Sequence, residues 1–313
     1  MVKLPTSIIT GLAALPLIIS GCGGSSSSSS SGTGTLSIGI TDAPVDSAAA
    51  VVVSFTGIAI KPADGDEIEF TFDEARSIDL LTLQGSNSAS LIKNEVIPAG
   101  EYNWMHLMVN ASNDGTLDSY LENTDGSTVE LYVPSGSQTG LKLVSGFTVL
   151  AGGSADFTID FDLRKSLTDP AGQTAIKLKP ALRVIDNAEY GSITGTIAGE
   201  MIAAQCANAS VDDGAVYAFS GAEITPADVS GAATDPLTTA LVSYDAGSGV
   251  YRYELGFMPV NSYTLSYTCD TASDDPEAVD ELTFTGTTSV VVAAGETTTY
   301  DFAIAAPQEP AAQ

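Results

Sequence analysis

From Thr35 onward, apolar and polar residues alternate along most of the chain, and Gly, Pro, Asn and Asp punctuate the runs. Period-two patterning of this kind predicts β-strands with one buried face. Leu36, Ile38 and Ile40 share a face before Thr41-Asp42-Ala43-Pro44 breaks the run. Val51, Val53 and Phe55 alternate, and beyond Gly57 the phase flips to Ile58 and Ile60, which predicts a bulge at the glycine. Ile68, Phe70 and Phe72 follow the turn at Asp64-Gly65-Asp66. Ser77 to Asn94 fits neither period, and a short helix is expected there. Tyr102 to Val109 carries bulky residues on both faces and reads as a central strand covered on two sides. Val129, Leu131 and Val133 form another strand, and Leu141, Leu143, Phe147 and Val149 carry the pattern on.

Next come two charged strands. Phe157, Ile159, Phe161 and Leu163 point one way and Asp156, Asp160 and Asp162 the other. Downstream, Ile176, Leu178 and Leu182 point inward while Lys177 and Lys179 point out. Paired side by side, these strands would set an acidic ladder against a basic one and fix their register. After the polar stretch Asp186-Asn187-Ala188-Glu189 a second series begins: Ile193 with Ile197, Tyr217 with Phe219, Tyr251 to Leu255, Tyr263 to Cys269, Leu282 with Phe284, Val290 with Val292, and Tyr300 to Ile304. About seven short strands separated by turn signals read as a β-sandwich. The expected fold class is all-β, with two β-sandwich-like domains over residues 35–187 and 188–306 and a loose tail at 307–313.

The amino terminus breaks this pattern. Lys3 precedes a short apolar run from Ile8 to Ile19, the length of a signal-peptide core and too short for a spanning helix, which needs about 20 apolar residues. Ile19-Ser20-Gly21-Cys22 resembles the lipobox of bacterial lipoproteins. The resemblance implies a signal peptide at 1–21, cleavage before Cys22, and acyl chains on its thiol and amine that anchor it stably in a membrane. Gly23 after the cysteine, in place of Asp, points to the outer membrane or cell surface. An ordinary secretory signal with an incidental cysteine is the alternative. The rest of 22–34 is a Gly/Ser tether with no apolar anchor, which spans roughly 20 Å as a flexible coil. If Cys22 carries lipid, Cys206 and Cys269 remain as an even pair in an oxidising compartment, and a disulfide between them is expected. Two free thiols are the alternative.

Charge sharpens the picture. The chain of 313 residues carries a formal net charge of −28. Residues 35–187 hold nine Lys/Arg against 21 Asp/Glu, whereas 188–313 hold only Arg252 against 18 acids. Five of those nine basic residues fall between Arg164 and Arg183. Such a surface repels nucleic acid and anionic headgroups, so nucleic acid is rejected as a partner and the membrane is reached through the lipid alone.

Candidate chemistry is sparse. His106 is the single histidine, beside Trp104 and Met108, and reads as a packed imidazole rather than a member of a catalytic triad. Gly136 to Lys142 lacks the spacing of a phosphate loop. Asp160 and Asp162 share a strand face but are better explained by pairing with Lys177 and Lys179. Calcium is the one cofactor left open, with weak candidates at Asp64, Asp66, Asp212, Asp213, Asp274 and Asp275; none has EF-hand spacing.

Several segments in order resemble one bacterial lipoprotein family, called domain of unknown function 4382. They are Gly34-Thr35-Leu36-Ser37-Ile38 with Thr41-Asp42-Ala43-Pro44, Ile78-Asp79-Leu80-Leu81, Pro98-Ala99-Gly100-Glu101-Tyr102, Phe161-Asp162-Leu163-Arg164-Lys165-Ser166 and Leu178-Lys179-Pro180-Ala181-Leu182-Arg183. The likeness covers about residues 34–187 and implies no catalytic residues. Gly191 to Ile197, Gly249 to Tyr253 and Tyr263 to Tyr267 more loosely resemble a prealbumin-like or carboxypeptidase-regulatory-like β-sandwich. The expected function is a non-enzymatic, envelope-anchored binding or structural module with a protein or glycan partner. A calcium-stabilised adhesion or carbohydrate-binding protein is the first alternative, and a hydrolase using acidic residues the second.

Overall fold

The computed structural model describes residues 32–43, 48–134, 140–143, 145–168, 174–206 and 214–304. The lipobox with Cys22, the serine tether, Asp212 and Asp213 lie outside the described residues. The chain forms β1 (Thr33–Ala43), β2 (Ala48–Pro62) and β3 (Ile68–Asp79), then a 3-10 turn at Leu80–Leu83. It continues through β4 (Ala89–Pro98), β5 (Gly100–Val109), β6 (Tyr120–Asn123), β7 (Thr128–Tyr132), β8 (Leu141–Leu143), β9 (Phe147–Val149) and β10 (Ser154–Asp162). One helical turn, α1 (Leu163–Ser166), precedes β11 (Leu167–Thr168), β12 (Ile176–Leu178) and β13 (Leu182–Asp186). The remainder is β14 (Tyr190–Ile197), α2 (Gly199–Gln205), β15 (Ala215–Ser220), β16 (Thr238–Leu241), β17 (Ser243–Asp245), β18 (Val250–Pro259), β19 (Asn261–Thr268), β20 (Thr285–Val292) and β21 (Thr297–Thr299).

These strands make four sheets. The first has the order β13-β10-β1-β4. The second is nine-stranded, β11-β12-β7-β6-β2-β5-β8, with β3 on β2 and β9 on β5. Leu36, Ile38 and Ile40 of β1 and Phe157, Ile159 and Phe161 of β10 bury one face against Val51, Val53, Phe55 and Ile58 of β2 and Met105 and Leu107 of β5. Each such side chain contributes about 1.5–3 kcal/mol through removal from water. The third sheet, β17-β18-β14-β21, and the fourth, β16-β15-β19-β20, enclose a second core built on Ile193, Tyr253, Leu255, Leu265, Tyr267 and Phe302. Each sheet is drawn wholly from strands before Asn187 or wholly from strands after Glu189. All of them nevertheless belong to one compact unit.

The bulge expected at Gly57 is present: β2 shifts register between Phe55 and Gly57 against both β3 and β5. A Cβ at Gly57 would lie 2.5 Å from the Phe70 carbonyl oxygen, so only glycine lets β3 come this close. β5 is central, between β2 and the β8 and β9 strands, with Tyr102, Met105, Leu107 and Val109 on its buried face.

The short helix expected between Ser77 and Asn94 is present as the 3-10 turn Leu80–Leu83, where Asp79 accepts from the backbone N–H of Leu81 at 3.2 Å and of Val51 at 3.1 Å. Other expectations are corrected. Leu282 and Phe284 belong to no strand; they cover the outer face of β15, with the Phe284 ring 5.4 Å from Tyr217 and 6.2 Å from Phe219. α2 was not foreseen, since it buries only Met201 and Ile202.

The acidic and basic ladders do not face each other. β12 and β13 are separate strands in different sheets, because Pro180 between them offers no backbone N–H to continue a ladder. β12, with Lys177, pairs with β7 and β11. β10 pairs instead with β13, which sets Asp160 opposite Arg183. Arg183 donates to Asp160 through Nε at 3.1 Å and Nη2 at 2.6 Å.

Cys206 and Cys269 are joined in a disulfide, with their Cα atoms 5.5 Å apart. The Tyr267 hydroxyl sits between the two sulfurs, 3.1 and 3.0 Å away.

Candidate functional site

Four of the five basic residues of the 164–183 stretch have side-chain partners among the described residues, and three of them reach the acidic second half. The N-cap Asp162 starts α1 by accepting the backbone N–H of Lys165 at 3.1 Å. That turn directs Arg164 outward from the first pair of sheets. Its Nη1 donates to the Tyr217 hydroxyl at 3.1 Å, to Asp274 Oδ2 at 3.1 Å and to the Thr271 carbonyl at 3.4 Å. Tyr217 donates its own hydroxyl proton to the same Asp274 oxygen at 2.5 Å, and the Val229 N–H donates to Oδ1 at 3.0 Å. Arg164 and Asp274 are both buried. Burial pushes the Asp274 carboxyl up, while the Tyr217 hydroxyl, the Val229 N–H and the Arg164 charge pull it back.

Lys165 extends the contact. Its Nζ donates to the Pro236 carbonyl at 2.8 Å and lies 3.9 Å from Asp235. Lys179 meets Glu277 at 3.2 Å in the solvent, where a pair contributes little. Thus three residues of the basic stretch engage acids and carbonyls of the second half, while Asp162, at 3.1 Å from Lys165, and Asp160, at 2.6 Å from Arg183, serve it from the first. Asp274, singled out as a calcium candidate, serves here as the counter-charge of a buried arginine.

Asp274 also lies near two acids that sequence reasoning missed. Oxygens of Asp228, Asp274 and Asp280 come within 4.8 Å of one another, the closest approach to a hard-cation site among the described residues. Protein donors already engage each of them: Asp228 accepts the Asp280 N–H at 2.6 Å and Asp280 accepts the Asp275 N–H at 2.7 Å. Asp275 itself is exposed, as are Asp64 and Asp66 in their turn, and these are not brought together with the trio.

Two further carboxyls are raised by burial. Asp42 continues the apolar face of β1, buried, with the Leu163 N–H as its one nearby donor and no well-formed hydrogen bond to either oxygen. Burial raises it well above the usual value of 3.8, and the charges of Asp160 and Asp162 raise it further. Burial also raises Asp160, opposed by Arg183. Neither residue lines any of the cavities described below. His106 stacks on Trp104 at 5.2 Å and sits 3.8 Å from Glu67; burial lowers its pKa, against the pull of Glu67 and Glu69.

A second feature lies where the Gln84-Gly85 turn meets the polar outer face of the third sheet. Gly85 and Gly256 touch backbone to backbone: a Cβ at Gly256 would fall 2.0 Å from the Gly85 carbonyl oxygen. Beside this contact opens a cavity of about 740 Å³. Gln84, Thr194, Arg252, Glu254 and Asp301 supply its polar wall, and Ala240 and Leu241 a small apolar patch. Asp301 Oδ1 accepts from both the N–H and the hydroxyl of Thr196 at 2.8 Å. Arg252, the one cation of the second half, holds Asp245 and Ser248 at 3.3 Å. Smaller cavities of about 560 Å³ and 540 Å³ lie between β3 and β4 and beside Asp228 and Phe284.

Residues 33–180 match the family described as domain of unknown function (DUF4382). The matched residues take in β1 to β12 and carry Asp42, Asp160 and Arg164, but end before Arg183. No curated protein matches the chain. Among solved structures, a minor pilin of Streptococcus agalactiae is 11% identical, with 89% of this chain and 100% of that one covered and a TM-score of 0.18. A Bacteroides ovatus protein described as a candidate adhesin is 8% identical, with 88% and 94% covered and a TM-score of 0.21. Likenesses at this level say nothing of what the chain binds.

Proposed function

We propose that this protein is an envelope lipoprotein, held at the outer membrane or cell surface by acylated Cys22, that acts as a non-catalytic binding or structural module. The observation that supports this reading most is the junction itself. Arg164 and Lys165 leave the DUF4382 segment and end on buried or half-buried partners of the second half, which suits a module that holds a fixed shape rather than one that opens and closes. Of the carboxyls with raised pKa, Asp42 and Asp160 line none of the cavities and Asp274 is held by Arg164 and Tyr217, and both cysteines of the folded body are oxidised. That arrangement favours a binding role over acid–base or thiol chemistry. Among the described residues no helix is long and apolar enough to cross a membrane, so attachment in this reading rests on the lipid. Replacing Cys22 with Ala is expected to move the protein from the membrane to the soluble fraction and to abolish labelling by a palmitate analogue. Retention of the variant in membranes would count against the anchor.

A further inference from the structure

We propose that the cavity bounded by Gln84, Thr194, Arg252, Glu254 and Asp301 binds a neutral saccharide. Its volume of about 740 Å³ lies within the range of small-molecule sites, roughly 300–1,000 Å³, and it opens where two parts of one fold meet, a preferred place for such sites. The wall offers both kinds of hydrogen-bonding group. The guanidinium of Arg252 and the amide of Gln84 donate, the carboxylates of Glu254 and Asp301 accept, and the hydroxyls of Thr194 and Thr196 do either. Vicinal hydroxyls of a sugar need this mixture, since each is at once donor and acceptor. Ala240 and Leu241 supply a small apolar patch of the kind that faces the C–H side of a pyranose.

Charge narrows the class. Two carboxylates stand against one guanidinium, in a chain of net charge −28, which disfavours phosphorylated, sulfated or carboxylated ligands. An apolar ligand would strand the polar wall without partners. Glu254 is the most available group: its side chain makes no hydrogen bond or ion pair among the described residues, and its Oε2 lies beside Gly85. The turn at Gly85 therefore sets one side of the site, and the Gly85–Gly256 contact fixes its width.

This assignment rests on the binding-module reading and names its ligand class; it does not depend on the lipid anchor. The test uses the full-length protein in detergent with four neutral trisaccharides, maltotriose, cellotriose, mannotriose and chitotriose, and with inorganic phosphate as the anionic probe. Saturation-transfer NMR is expected to show contact with at least one trisaccharide and none with phosphate. Glu254→Gln is expected to weaken binding by about tenfold or more, as loss of a charged acceptor does. Ser243→Trp, which fills the cavity from an exposed position, is expected to abolish it. Silence from all four trisaccharides, preference for phosphate, or binding that survives both substitutions would overturn the proposal. The Cys22→Ala protein should bind the same sugar unchanged, so a failed anchor and a failed site give different results.

Discussion

Arg164 and Asp274, 110 residues apart in sequence, meet at 3.1 Å with both side chains out of water. The pair joins the segment that matches the family model to the acidic half of the chain. Removing one member leaves the other buried without its counter-charge, which costs about 3–5 kcal/mol, whereas replacing both with apolar residues of similar size is often close to neutral. Asp274→Ala is therefore expected to destabilise strongly in urea unfolding. The double variant Arg164→Met/Asp274→Leu should recover most of that loss. Equal damage from the single and double variants would show that packing, not charge, holds the junction.

Lys179 and Glu277 bridge the same two halves in the solvent. Lys179→Ala should change stability by less than about 1 kcal/mol, and the small effect should fade further in high salt. The contrast with Asp274→Ala measures what burial adds to an ion pair.

Asp42 gives a pH prediction. Its carboxyl is raised well above 3.8 by burial and by its acidic neighbours, so the folded state holds a proton that the unfolded state releases. The unfolded chain then binds fewer protons between the two pKa values, and stability falls as pH rises through that window. Asp42→Asn, which stays neutral, should match the wild type at acid pH and exceed it at neutral pH in denaturant melts. A variant equally unstable at both would point to a charged Asp42 with a stabilising partner.

The disulfide between Cys206 and Cys269 closes a loop of 63 residues. In the chain-entropy account that linkage stabilises by about 4 kcal/mol. Cys269→Ser is expected to lower the denaturant midpoint accordingly, and reductant should do the same to the wild type but not to the variant. A wild type indifferent to reductant would contradict a structural disulfide.

Gly256→Ala tests the backbone contact. The added Cβ would meet the Gly85 carbonyl oxygen at 2.0 Å, and two backbones cannot give way as a side chain does. Overpacking of this kind costs about 1–3 kcal/mol. The variant should lose stability and, with the cavity wall displaced, saccharide binding; Gly199→Ala, whose Cβ meets only the Tyr251 ring at 3.7 Å, should leave binding intact.

Much of the fold was legible because alternation survives wherever a strand buries one face. Leu36, Ile38 and Ile40, or Phe157, Ile159 and Phe161, could be placed from spacing alone, and the flip from Phe55 to Ile58 located the Gly57 bulge. Leu282 and Phe284 misled because covering another strand also asks for alternate apolar residues, without a ladder of their own. The basic stretch was visible, but its partners were not. Local acids do serve part of it, Asp160 for Arg183 and Asp162 for Lys165, but Asp235, Asp274 and Glu277 lie some 70 to 110 residues downstream and reach it only through tertiary structure. Asp228 and Asp280 were missed for the same reason; Glu254 shares a face of β18 with Arg252, but Asp301 joins them only because β14 lies between β18 and the chain that follows β21.

The central claim is that Arg164 and its partners bind the two pairs of sheets into one cooperative body. Differential scanning calorimetry of the wild type and of Arg164→Ala tests it most directly. The account predicts a single transition for the wild type, and for the variant a lower stability with separation into two transitions as each pair of sheets melts on its own. Two independent transitions in the wild type, at temperatures that Arg164→Ala does not change, would contradict it.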